Sequence, residues 1–226
     1  PALGLYGSGD QPGGCGKDDD NSGILRYVRI EYAGIAFQPN NEINGLTMGG
    51  VGNQTVIDHV QVSYANDDAF EWFGGTVNCK HLISYRALDD DLDCDFGFSG
   101  NIQHVLVVRD PQVADVSNSN GFEVDNNASG STATPKTAPT FSNVTIAGPT
   151  GTVAADYRRA AHLRRNCEIG IFNSLLIGNY PVGLFIDGDA TLNNAINGLL
   201  EVKNTWVAGP TELLRSSNTA VLNVVD

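Results

Sequence analysis

The chain has 226 residues, with 26 acidic against 13 basic side chains and a formal net charge of −13. An acidic surface argues against a nucleic-acid partner, because a phosphate backbone demands clustered Lys and Arg. No apolar run is long enough to cross a bilayer, so no transmembrane helix is expected.

This length predicts one domain with a sizeable core. No start Met or charged leader precedes Pro1, so the chain reads as a processed or partial one. Residues 1–22 are rich in Gly and Asp and read as an irregular loop. Coils are expected over 23–210, with a terminal segment over 211–226. The segment Tyr27-Val28-Arg29-Ile30-Glu31-Tyr32-Ala33 recurs position for position as His59-Val60-Gln61-Val62-Ser63-Tyr64-Ala65. Further copies open at His81, His104, Asn143, Asn173 and Asn204, giving spacings of 32, 22, 23, 39, 30 and 31 residues.

A second register is interleaved with the first. It passes through Leu46-Thr47-Met48, Phe70-Glu71-Trp72, Leu92-Asp93-Cys94, Phe122-Glu123-Val124, Ala161-His162-Leu163 and Leu184-Phe185-Ile186. Two strands per irregular repeat, without helices between them, predict an all-β solenoid, a right-handed parallel β-helix of about six to seven coils. Successive coils would stack about 4.8 Å apart, and loops at 128–139 and 149–157 would leave the longer repeats. An antiparallel sandwich is the rival and demands tight Asn-Gly hairpins. The one helix-like stretch, Asp156 to Arg165, is weakly patterned.

Period-two alternation puts Phe70, Leu92 and Phe122 in one inward column, and Trp72, Cys94 and Val124 in another. The outward columns then read Thr47, Glu71, Asp93, Glu123, His162, Phe185 and Gly49, Phe73, Asp95, Asp125, Arg164, Asp187. Asp93, Asp95, Glu123 and Asp125 form a two-by-two block of carboxylates. Like charges about 5 Å apart repel by about 3 kcal/mol at an effective dielectric near 20. Raised pKa values, a bound cation, or Arg164 and His162 must offset that repulsion.

Three readings compete for this face. It is a solvated acidic surface, or a Ca²⁺ site drawing on Glu71, Asp89, Asp90, Asp91, Asp93, Asp95, Glu123 and Asp125, hard oxygen ligands that match no EF-hand loop. Or it is catalytic, with Asp93, Asp95, Glu123 and Asp125 acting on a polysaccharide and His162 or Arg164 assisting. Asp67, Asp68 and Asp89 to Asp91 open the strands, where Asp makes turns through its own backbone hydrogen bonds. Phe73 and Phe185 point outward, where aromatic rings stack on sugars or lie under loops.

The polar residues Tyr27, His59, His81, His104, Asn143, Asn173 and Asn204 open one register and form a ladder at a coil corner. Three stacked imidazoles suggest a transition metal, but without a carboxylate beside them the ladder reads as architecture. Cys15, Cys79, Cys94 and Cys167 make no CxxC pair, so zinc on thiolates is not expected. Disulfides are open in three pairings, and Cys94 reads equally as a small buried thiol.

The segments N-S-G-I-L-R-Y-V-R-I-E-Y-A-G, N-N-E-I-N-G-L-T-M-G-G-V-G, D-D-A-F-E-W-F-G-G-T-V-N and D-D-D-L-D-C-D-F-G-F-S-G resemble a family of secreted bacterial surface proteins. Its members are right-handed β-helices of the pectin-lyase-like type with no assigned reaction. The resemblance implies a secreted or outer-surface location and a chain that is the carboxy-terminal part of a longer solenoid. A looser similarity is to polygalacturonase-type hydrolases, onto which Asn66-Asp67-Asp68 and Asp89-Asp90-Asp91 map. Their Gly-His-Gly and Arg-Ile-Lys motifs have no counterpart, since His162 sits in Ala-His-Leu, and only Arg164 matches the base of pectate lyases. The expectation is a surface β-helix that binds a glycan or partner protein with Ca²⁺. Alternatives are a polysaccharide hydrolase or lyase using the carboxylate block, or a self-assembling surface-layer or filament subunit.

Overall fold

The computed structural model describes residues 17–35 and 43–217. Cys15, most of the amino-terminal loop and the last part of the terminal segment lie outside the described residues. The chain runs β1 (Ile24–Glu31), β2 (Leu46–Gly49), β3 (Val56–Ser63), β4 (Phe70–Phe73), β5 (Asn78–Tyr85) and β6 (Leu92–Asp95). It continues through β7 (Asn101–Val108), β8 (Ser119–Val124), β9 (Thr140–Ala147) and β10 (Tyr157–Leu163). Then come β11 (Gly170–Phe172), β12 (Leu175–Ile177), β13 (Val182–Ile186) and helix α1 (Asp189–Ile196). Strands β14 (Glu201–Lys203), β15 (Trp206–Ala208) and β16 (Glu212–Ser216) follow.

Strands alternate between two sheets. One orders β1-β3-β5-β7-β9-β11-β14, with β12 and β15 continuing it past β9; the other orders β16-β13-β10-β8-β6-β4-β2. Every recorded pairing is parallel, which makes the chain a parallel β-helix and excludes the sandwich. Among the described residues, the seven strands of the second sheet count seven turns of the solenoid.

The repeat carries three strand segments per coil rather than two. Tyr27, His59, His81, His104, Asn143, Asn173 and Asn204 all adopt positive φ, between +51° and +61°. A single left-handed residue bends each long strand, so the segment before it (Ile24 to Arg26, Val56 to Asp58) packs as a third side. Asn occupies this conformation with little strain, whereas His and Tyr are held in it by tertiary contacts. Their rings stack along the solenoid axis: Tyr27 on His59 at 4.6 Å, His59 on His81 at 4.3 Å, and His81 on His104 at 5.2 Å.

The interior is filled by the inward columns. Phe70, Trp72, Leu92, Cys94, Phe122 and Val124 are fully buried. Stacking them in register removes large apolar area from water on every coil, worth about 1.5–3 kcal/mol for each large side chain. Cys79, Cys94 and Cys167 are buried free thiols, so no disulfide joins these three. Burial pushes the Cys79 thiol up to about 12, leaving it inert at neutral pH.

The stretch Asp156 to Arg165 is not helical; most of it forms β10, because Ala161 and Leu163 extend the inward columns of Phe122 and Val124. Among the described residues the helix is α1, which leaves the coil between β13 and β14 and docks through Thr191 and Leu192. The Thr191 hydroxyl accepts a hydrogen bond from the Asn166 backbone N–H at 2.9 Å, tying the helix to the loop after β10.

Candidate functional site

The outward column of the second sheet is continuous. Thr47 on β2 pairs with Glu71 on β4, Glu71 with Asp93 on β6, and Asp93 with Glu123 on β8. Glu123 pairs with His162 on β10, then His162 with Phe185 and Phe185 with Arg215. The parallel register therefore stacks three carboxylates on adjacent coils.

The entrance turns close over them. The Asp68 carboxylate accepts the Asp90 backbone N–H at 2.9 Å, and Asp90 accepts the Asn120 N–H one coil further on. The Asn120 amide also donates to Asp90 at 3.1 Å and to Glu123 at 3.2 Å. Ligand oxygens of Asp68, Glu71 and Asp93 lie within 4.8 Å of one another, as do those of Asp90, Asp93 and Glu123 and those of Asp67, Asp68 and Asp89. Asp93 belongs to two of these triads and joins them.

Burial and mutual repulsion hold much of this cluster away from ionisation. Burial, then neighbouring carboxylates, push Asp68, Asp90 and Asp93 well above the usual carboxylate range. Burial raises Glu71 to about 8 against the opposing hydrogen bond from Asn44. Asp89 and Asp95 rise to about 6, again through burial; Ser117 opposes the shift at Asp89 and the Phe96 N–H at Asp95.

On the next coils the same columns become charge-balanced. Arg164 donates to both Glu123 and Asp125, at 2.7 Å for the Nε bond to Asp125, and Arg165 reaches Asp125 at 2.6 Å. His162 is buried, with Nε2 3.0 Å from Asp187 and Nδ1 3.5 Å from Glu123. Burial raises Glu123, but His162 and Arg164 outweigh it and bring its pKa below normal. Phe185 stacks on His162 at 5.2 Å, and the guanidinium groups of Arg159 and Arg215 lie 5.4 and 5.7 Å from its ring centre.

The structure places Glu71, Asp89, Asp90, Asp93 and Glu123 in overlapping clusters, with Asp95 one step along the strand from Asp93. Two candidates are corrected as free ligands. Asp91 faces Arg109 at 3.3 Å and accepts the Ser84 hydroxyl at 2.5 Å, with both members of the ion pair fully buried. It lies on the other side of the strand entrance and serves as an internal countercharge. Asp125 is already neutralised by Arg164 and Arg165.

Sequence reasoning left Asp67, Asp68, Asn120 and Asp187 out of the site. Asp68, Asp90 and Asn120 each stand two residues before Phe70, Leu92 and Phe122, so the column was present in the spacing. Reading Asp68 chiefly as a turn former and leaving Asn120 unassigned hid it.

Residues 7–224 match the family of pectate-lyase-like β-helix domains. The chain belongs to that family. No curated protein and no solved structure matches the chain. Among the described residues no helix is long and apolar enough to cross a membrane. A pectate-lyase-like β-helix fits a carbohydrate-related or surface protein, and the carboxylate column lies on an outward face of it.

Proposed function

We propose that this pectate-lyase-like β-helix acts outside the cell or on its surface, binding a glycan or partner protein over a carboxylate face that holds Ca²⁺. The carrying observation is the in-register stack Glu71, Asp93, Glu123, enclosed from the side by Asp68 and Asp90. Ca²⁺ accepts six to eight oxygens at about 2.3–2.6 Å in flexible geometry, and several carboxylates within one coordination radius suit it. Its charge would offset the burial and the mutual repulsion that raise Asp68, Glu71, Asp90 and Asp93.

The test is calorimetric titration of Ca²⁺ into chelator-stripped protein, followed by melting. At a hundredfold excess over its dissociation constant, Ca²⁺ stabilises by about 2.7 kcal/mol. For a domain of this size that raises Tm by roughly 5–10 °C. An unchanged Tm and no binding heat would sink the calcium reading. Loss of glycan or partner binding on chelation then tests the link between ion and ligand.

A second reading, hydrolysis or lysis of a polysaccharide, is favoured by one observation. Glu71 is pushed up to about 8 while Glu123, two coils away in the same column, is held below normal. Carboxyl groups separated in this way can act as proton donor and acceptor at neutral pH. Reducing-end and unsaturated-product assays over an acidic polysaccharide panel, with Glu71→Gln and Glu123→Gln beside Asp93→Asn and Asp95→Asn, decide it.

A further inference from the structure

The histidine ladder has the carboxylate that its sequence columns did not reveal. Asp58 precedes the corner on β3, and its Oδ1 lies 2.8 Å from Nδ1 of His59 and 2.8 Å from Nδ1 of His81 on the next coil. These three ligand atoms lie within 4.8 Å of one another. His59 Nδ1 is buried and its nearest polar neighbour is the Asp58 carboxylate. The other carboxylate oxygen of Asp58 faces Arg26 at 3.6 Å, which orients it.

We propose that Asp58, His59 and His81 form a second cation site, selective for a divalent transition metal such as Zn²⁺ and separate from the carboxylate face. Two imidazole nitrogens and one carboxylate oxygen suit Zn²⁺ and Cu²⁺ rather than Ca²⁺, which takes oxygen ligands alone. Tetrahedral ligation at about 2.0–2.1 Å brings ligand atoms to roughly 3.3 Å from one another. Partly exposed imidazoles reach that spacing by side-chain rotation. The rings of His59 and His81 also line a groove of about 590 Å³ with Tyr27, Arg29, Gln61, His104 and Leu106, while Asp58 lies outside that lining. A metal with three protein ligands keeps its fourth position for water.

The ladder supplies its own fold control. Asn143, Asn173 and Asn204 occupy the same left-handed corner on other coils, so His59→Asn and His81→Asn preserve the bend. The experiment titrates Zn²⁺ into the full chain in excess Ca²⁺. One Zn²⁺ per chain is expected, with affinity lowered about 10–100-fold or more in His81→Asn and Asp58→Asn and unchanged in Asp93→Asn. Wild-type affinity in His81→Asn, or loss in Asp93→Asn alone, would place the ion on the acidic face and overturn the site. Cu²⁺ electron paramagnetic resonance on the unmutated chain gives an independent readout. Nitrogen hyperfine splitting supports imidazole ligation, and an all-oxygen spectrum refutes it.

Discussion

Asp93 and Glu123 are direct neighbours across β6 and β8, yet their surroundings push their ionisation in opposite directions. Asp93 is buried among carboxylates on adjacent coils. Glu123 meets the same burial but also His162 and Arg164. One coil of the solenoid separates a surplus of negative charge from a balanced network.

This contrast predicts an unusual pH dependence in the absence of divalent cations. Groups with raised folded pKa values bind more protons in the folded than in the unfolded state, so stability falls as pH rises. For Asp89 and Asp95 the loss spans pH 3.8 to about 6, and for Glu71 it spans 4.5 to about 8. Glu123 and Asp187 act in the opposite sense, losing their contribution only as pH falls through their lowered values. Melting in chelator is therefore expected at higher temperature in mildly acidic buffer than at slightly alkaline pH. Saturating Ca²⁺ should flatten the difference.

Asp93→Asn removes the carboxylate shared by two triads. The amide mimics the neutral acid, so the variant is expected to melt in chelator within a few degrees of the parent or above it. Its Ca²⁺-induced shift should fall to under half. A retained full shift measured by differential scanning fluorimetry would remove Asp93 from the ion site.

Arg109 is the countercharge for Asp91 and also bonds the Asp89 carbonyl at 2.7 Å and the Tyr157 hydroxyl at 3.1 Å. Arg109→Met strands a buried carboxylate and is expected to lower stability by about 3–5 kcal/mol in urea unfolding. Pairing it with Asp91→Leu should recover much of the loss, since the pair then becomes apolar.

At the corner, His81→Val forces a β-branched residue into a left-handed conformation, at a strain of about 1–3 kcal/mol. His81→Asn is expected within about 0.5 kcal/mol of the parent. Chemical denaturation of the two variants side by side separates backbone strain from loss of ring stacking.

The alternation of Phe70-Glu71-Trp72, Leu92-Asp93-Cys94 and Phe122-Glu123-Val124 was sufficient to determine the sheet, its inward columns and the stack of carboxylates. Regular strands carry one periodicity, and burial of one face fixes their register. The same rule stops where the strand stops. Asp90 and Asp91 precede β6 in a turn, so alternation could not say which of them joins the cluster and which meets Arg109. Likewise Asp58 and His81 are 23 residues apart, and only the stacking of coils brings them to 2.8 Å. Sequence thus set the columns, because they repeat with the backbone. Tertiary structure chose the partners at each bend, where the chain direction changes and neighbours come from different coils.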